Sequence, residues 1–279
     1  MPLLLAGLSS LAFGVADFFG ALATRRMAAV TVVIGSHVVA LVAIFAAAPL
    51  FSEGSPGWGS LGWGAAGGVF GAAGLVVFYH ALATTRVGVA APAAAVVGTV
   101  VPVVFGLLIG ERPGWAAALG MALAVPALIL LPSGDGTAAV RATALRAGML
   151  GGIAGLGFGL FGILISRTGD SSGVWPLAGA RVASLALMAL VALVAGRPLL
   201  PEGRSWGVVG AAGLLDIAAN VLFLVAVRQE LLSLVVVVMA FYPAVTIALA
   251  RVFFGERTVA KQRLGLVLAA GSILMITLG

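Results

Sequence analysis

The chain has 279 residues, of which 62% are hydrophobic and 9% are charged, and its formal net charge is +6. Soluble proteins carry about 25% charged residues, so this composition excludes a water-soluble protein and indicates a polytopic membrane protein. The basic residues stand singly between apolar runs instead of forming a patch, which excludes a nucleic-acid-binding surface. The chain contains no cysteine, so disulfides and thiolate metal sites are impossible.

Ten apolar segments, separated by charged or Gly/Pro-rich breaks, follow one another along the chain. Each is close to the roughly 20 residues that a helix needs to cross the bilayer core. The sequence therefore predicts ten transmembrane helices. Their predicted bounds are 3–23, 28–50, 61–83, 88–109, 114–131, 147–165, 174–195, 206–227, 231–254 and 262–278.

The two halves of the chain repeat each other at an offset of 145 residues. The charged triplet Gly110-Glu111-Arg112 recurs as Gly255-Glu256-Arg257, and the same offset aligns Phe78 with Phe223 without a gap. A constant register of this kind indicates an internal duplication. We predict a first repeat at 1–134, a linker at 135–146 and a second repeat at 147–279.

The number of helices in each repeat determines how the two copies are related. Because five crossings is an odd number, the second copy enters the membrane from the opposite face. The predicted fold class is therefore an all-α polytopic membrane protein with ten transmembrane helices in two inverted five-helix repeats. This architecture is typical of secondary transporters.

Loop charge predicts the orientation of the chain, since lysine and arginine concentrate in cytoplasmic loops. The face that holds both termini carries Arg112, Arg167 and Arg228. The opposite face carries Arg25, Arg26, Arg86, Arg141, Arg146, Arg197, Arg204, Arg257, Lys261 and Arg263. We therefore expect the linker in the cytoplasm and both termini outside.

Each half of the chain closes with the same order of features. An aromatic-rich stretch that ends in alanine is followed by a long apolar helix, Gly-Glu-Arg and a glycine-containing helix. Arg181 lies in the second helix of its repeat, and Tyr242-Pro243 precedes the second triplet. This pattern resembles the EamA domain of the drug/metabolite transporter superfamily. The resemblance implies ten helices in two inverted repeats and a central cavity lined by helices 1, 3, 4, 6, 8 and 9.

A few polar side chains fall within the predicted helices, where an ionisable group costs several kcal/mol and marks a function or a buried pair. Asp216 and Asn220 lie one turn apart on the same face of helix 8. The candidate substrate-binding or coupling residues are Asp17, His37, Tyr79, His80, Arg181, Asp216, Asn220 and Tyr242.

Structural roles compete with site roles for three of these candidates. Asp216 either belongs to the site or forms a salt bridge with Arg181 that holds helix 7 against helix 8. Asp17 either belongs to the site, reaches the membrane interface or pairs with Arg25. His37 either belongs to the site or is a packing histidine.

The function predicted from the resemblance is a secondary transporter that exports a small metabolite by alternating access. An amino acid or a similar zwitterionic or weakly polar compound suits the cavity. A phosphorylated substrate needs several cations at depth, and the single lysine, Lys261, lies at a membrane edge. Protons are a candidate coupling ion through Asp17 or Asp216, and uncoupled facilitation or exchange is the alternative.

Two other classes of protein compete with a transporter. A polytopic membrane enzyme acting on lipid needs clustered His, Asp or Glu at the interface, and this chain has two isolated histidines. A non-transporting membrane scaffold is the third interpretation. We expect no enzyme activity, catalytic residue, metal, cofactor or nucleic-acid partner. The expected protein is a multi-pass monomer or homodimer of the plasma membrane, whose partners are the bilayer and a small-molecule substrate.

Overall fold

The computed structural model describes residues 1–51, 57–85, 87–130, 138–254 and 260–278. Throughout these ranges the regular secondary structure is helical. The predicted turn at 52–56, the linker residues up to 137 and the second Gly-Glu-Arg triplet lie outside them. The α-helices are α1 (Pro2–Thr24), α2 (Ala29–Phe51), α3 (Trp58–Thr84), α4 (Val87–Leu108), α5 (Trp115–Leu130), α6 (Ala138–Ser166), α7 (Trp175–Val194), α8 (Ser205–Val227), α9 (Leu232–Met239), α10 (Tyr242–Phe254) and α11 (Ala260–Leu278).

The helices confirm a polytopic membrane protein. In the described ranges, eight segments are long and apolar enough to cross a bilayer, and α9 with the start of α10 forms one of them. A shorter apolar helix occupies Trp115–Ala127 within α5. Large exposed hydrophobic side chains such as Leu11, Phe70 and Val182 cover the outside of the bundle, where lipid would surround them. The core consists mainly of alanine, valine and leucine between the helices.

The predicted ninth helix, 231–254, is broken in the structure. Helix α9 ends at Met239 and α10 begins at Tyr242, because Pro243 has no N–H to donate to the Met239 carbonyl. The Ser10 hydroxyl of α1 donates to that carbonyl at 3.0 Å instead. A carbonyl that proline leaves open inside a membrane protein needs such a substitute.

The predicted linker is partly helical, since α6 begins at Ala138 within the range 135–146. Alanine, leucine and arginine, which favour helix, make up most of residues 138–147. The sixth helix is therefore longer than the predicted range 147–165.

Helices α3 and α7 approach each other so closely that the contact requires glycine. A Cβ on Gly64 would lie 2.0 Å from the Pro176 carbonyl oxygen, and a Cβ on Gly68 would lie 2.0 Å from that of Ala180. Small residues at a spacing of four allow helices to associate closely in lipid. This close contact places Arg181, next in the chain, beside the centre of the bundle.

Glu111, from the first charged triplet, caps helix α9. Its two carboxylate oxygens accept hydrogen bonds from the N–H groups of Leu232 at 2.9 Å and Ser233 at 3.0 Å. These N–H groups have no partner within the helix, and a carboxylate also favours the positive end of the helix dipole. Gly106 leaves room for the carboxylate, since a Cβ there would lie 2.4 Å from Oε2. The triplet thus joins the end of α4 to the start of α9.

Replacing Glu111 with alanine removes the acceptor for both N–H groups, so we expect a loss of about 1–3 kcal/mol in stability. Thermal denaturation of the purified protein in detergent measures this loss. Gly106→Ala should also lower the melting temperature, because its Cβ would displace the carboxylate. Glu202→Ala, at an exposed acid, is the control. An unchanged melting temperature for Glu111→Ala would contradict the capping role.

Candidate functional site

A cavity of about 130 Å³ lies at the centre of the bundle. Side chains from both halves of the chain surround it, and they come from α1 to α4 and from α6 to α10. Most of its wall is apolar, with a few polar groups. Its polar and aromatic lining residues are Phe13, Asp17, His37, Thr99, Phe158, Phe161, Arg181, Asp216, Asn220, Phe223 and Tyr242.

Arg181 is at the centre of a buried polar network. Its Nη2 donates to Asp216 Oδ2 in an ion pair between α7 and α8. Its Nη1 lies 3.1 Å from His37 Nε2 on α2. Arg181, Asp216 and His37 are 5%, 8% and 1% exposed, so the charges are desolvated and must be compensated within the protein.

Ser184 determines the tautomer of His37. The Ser184 hydroxyl donates to the Arg181 carbonyl at 2.9 Å, so it can only accept from His37 Nδ1, which lies 2.7 Å away. Nδ1 therefore carries the proton, and Nε2 accepts the hydrogen bond from Arg181. This arrangement makes His37 a neutral imidazole.

Asn220 lies one turn after Asp216 on α8, lines the cavity and has an amide oxygen without a partner. Its Nδ2 donates to the Asp216 carbonyl at 2.8 Å. That carbonyl oxygen can only accept, so the side-chain atom that faces it must be the nitrogen. The other amide atom, Oδ1, is buried and has no hydrogen-bond partner among the described residues.

Asp17 is the second acid of the cavity wall and is 7% exposed. No hydrogen bond or ion pair to its carboxylate is present in the described parts of the chain. Asp17 and Asp216 line the same cavity. The structure thus places Asp17 at the cavity, away from the membrane interface.

Six of the eight residues predicted for the site line the cavity. The other two do not. Tyr79 is buried behind the wall, where its ring packs against the backbone of Gly20 on α1. His80 is exposed, because it follows Tyr79 on the helix and points about 100° away from it.

The aromatic residues of the wall were not among the predicted site residues. Phe13 and Phe158 both line the cavity, and they are repeat partners at the offset of 145. Phe78 lies behind them and contacts both Phe158 and Tyr242 edge-on, with centroid distances of 5.5 and 6.3 Å. An aromatic residue kept at the same place in both repeats was the signal in the sequence. Ser184 could have been found as the residue one turn after Arg181.

Asp216→Asn removes the counter-charge of Arg181, and a buried cation without a partner typically costs about 3–5 kcal/mol. We therefore expect this variant to accumulate poorly and to melt at a lower temperature than the wild type. Arg181→Met combined with Asp216→Leu removes both charges and should restore expression.

Size-exclusion chromatography and melting temperature in detergent measure both effects. Asp170→Asn, at an acid whose side chain is 85% exposed, is the matched control. If Asp216→Asn is stable but does not transport, the carboxylate belongs to the site. A stable variant with normal transport would contradict both roles.

The chain is similar to known proteins in sequence and in fold. Residues 146–278 match the model of the EamA-like transporter family. A protein of known crystal structure aligns over 97% of this chain and 98% of its own, with a TM-score of 0.74 and 18% sequence identity. That likeness shows a shared fold. No curated protein matches the sequence. The family match covers the second half of the chain and confirms its resemblance to the EamA domain of the drug/metabolite transporter superfamily.

Proposed function

We propose that the protein is a secondary transporter that exports a small metabolite across the plasma membrane by alternating access. The observation that carries this proposal is the cavity between the two halves, with a buried polar network at the depth of the bilayer. Ionisable groups at that depth are costly and mark substrate or ion pathways. The family match is to transporters, which favours this function over a lipid enzyme or a scaffold.

In alternating access, two structurally related halves move against each other around the site. Equivalent contacts in the two halves support the predicted inverted repeats. The Ser9 hydroxyl of α1 donates to the Ala219 carbonyl of α8 at 2.8 Å. At the offset of 145, these positions correspond to Ala154 and Gly74. A Cβ on Gly74 would lie 2.8 Å from the Ala154 carbonyl oxygen, so the equivalent helices α6 and α3 also touch at the equivalent place.

A second pair of contacts follows the same rule. Gly68 of α3 packs on the Ala180 carbonyl of α7, as described above. The position equivalent to Gly68 is Gly213 of α8, whose Cβ would lie 2.3 Å from the Ser36 carbonyl oxygen of α2. Ser36 is one residue from the position equivalent to Ala180. Superposition of the ranges 7–134 and 152–279 by a two-fold rotation would test the repeat directly.

The cavity suits an amino acid or a similar zwitterionic or weakly polar metabolite. Phosphorylated compounds remain unsuited, because Arg181 is the one cation among the described lining residues and it is already paired with Asp216. Asp17 and Asp216 are the groups through which protons would couple to transport. The protein would act as a monomer or a homodimer.

Single cysteines in this cysteine-free chain test the orientation. Ser171 and Glu202 are exposed and lie in loops on opposite predicted faces. If the loop arginines set the orientation, Ser171→Cys should react with an impermeant thiol reagent in intact cells. Glu202→Cys should react only after the membrane is permeabilised. The reverse labelling pattern would place both termini in the cytoplasm and contradict the prediction.

Metabolite efflux tests the function itself. Cells that express the protein should release at least one small metabolite several-fold faster than cells without it, as measured by mass spectrometry of medium and cytosol. Gly162→Leu should abolish this release, because a side chain there fills the cavity without a backbone clash, the nearest atom to its Cβ being Phe223 Cζ at 3.6 Å.

Gly207→Leu is the matched control, since a Cβ at Gly207 meets no atom within 4 Å. Identical metabolite profiles with and without the protein would contradict the proposed function. Normal release by a well-expressed Gly162→Leu variant would show that substrate does not pass through this cavity.

A further inference from the structure

We infer that the cavity recognises its substrate through an ammonium group held by Asp17, Asn220 and Tyr242. This inference rests on the proposed function and specifies the substrate class as organic amines with an apolar body.

The described cavity wall carries one acid without a counter-charge. Arg181 and Asp216 neutralise each other in their ion pair, and His37 is neutral in the tautomer that Ser184 imposes. Asp17 has no counter-charge among the described residues. A buried carboxylate in an apolar wall needs a partner, and a cationic ligand supplies one.

The polar atoms that remain free point to a ligand that donates hydrogen bonds. Asn220 lines the cavity, and its Oδ1 is buried, has no partner and can only accept. The Tyr242 hydroxyl is also buried without a partner and can either accept or donate. With the Asp17 carboxylate they make three acceptors, which matches the three N–H bonds of a primary ammonium group.

Aromatic rings complete a site for a cation. Phe13, Phe158, Phe161, Phe223 and Tyr242 line the same cavity. The faces of aromatic rings attract cations when the charge lies within about 6 Å of the ring centre. The same rings provide the apolar surface for the rest of the ligand.

A carboxylate ligand finds little to bind in this cavity. Nη2 and Nη1 of Arg181 each already use one N–H on Asp216 and His37, and Asp216 neutralises the guanidinium, so its remaining N–H groups offer a carboxylate no free positive charge. Asp17, the other acid of the described wall, offers an incoming carboxylate no positive charge. An amine therefore fits the site better than the acid of the same shape, and the carboxylate of an amino acid adds little to its binding.

Binding to the purified protein in lipid nanodiscs tests the inference, using isothermal titration calorimetry. Butylamine and phenethylamine are the probes, and pentanoate and 3-phenylpropionate are acids of matching shape. We expect at least one amine to bind ten-fold or more tightly than its matched acid. Phenylalanine should bind no more tightly than phenethylamine. Equal or tighter binding of the acids, no binding of either amine, or ten-fold tighter binding of phenylalanine would each overturn the inference.

Two variants and one control test which residues bind the amine. Asp17→Asn should weaken amine binding at least ten-fold, and Tyr242→Phe, which keeps the ring, should weaken it several-fold. Asp170→Asn is the control at an exposed acid and should bind as the wild type does. Unchanged affinity in Asp17→Asn would overturn the role of Asp17. If that variant does not fold, the comparison of amines with acids on the wild type still decides.

The two proposals fail in different ways. Release of a metabolite by cells, without amine binding, would refute the ammonium site and leave the transporter intact. Amine binding that depends on Asp17, without release of any metabolite, would leave the ammonium site and refute the transport function.

Discussion

The positive charge of Arg181 is the constraint on which the arrangement of the cavity depends. Lipid cannot solvate a guanidinium, so neighbouring helices must supply its partners. Asp216 on α8 and His37 on α2 do so, and one side chain thereby joins three helices from both halves of the chain. Because Arg181 is paired with Asp216, it is not available to bind an anion. Among the described lining residues, Asp17 is the acid without an ion-pair partner.

That the chain forms a series of membrane-crossing helices could be predicted, because apolar length is a property of the local sequence. The break within the predicted ninth helix, between α9 and α10, could not be predicted. Proline alone does not specify a break, since α4 continues through Pro92 and Pro102 while the ninth span stops before Pro243. The break is stabilised by Ser10, which is far away in the sequence and bonds to the freed Met239 carbonyl.

The candidate site was partly predictable for a similar reason. Acids and bases are rare in the membrane segments, so Asp17, Arg181 and Asp216 stand out, but their pairing depends on which helices touch. The repeat does not help with the acids, because Asp17 and Asp216 correspond to Gly162 and Gly71. The two halves of the chain therefore carry their cavity acids at positions that do not correspond at the offset of 145.

The interruption between α9 and α10 makes one wall of the cavity less stiff than its counterpart. Pro243 has no helical hydrogen bond to lose, so the two segments can tilt about Ala240 and Phe241 while their own ladders stay intact. Helix α4 continues through the equivalent place, although Pro102 leaves the Gly98 carbonyl without its helical donor. The two halves of the chain thus differ in this wall of the cavity, one having a broken span where the other has a continuous helix.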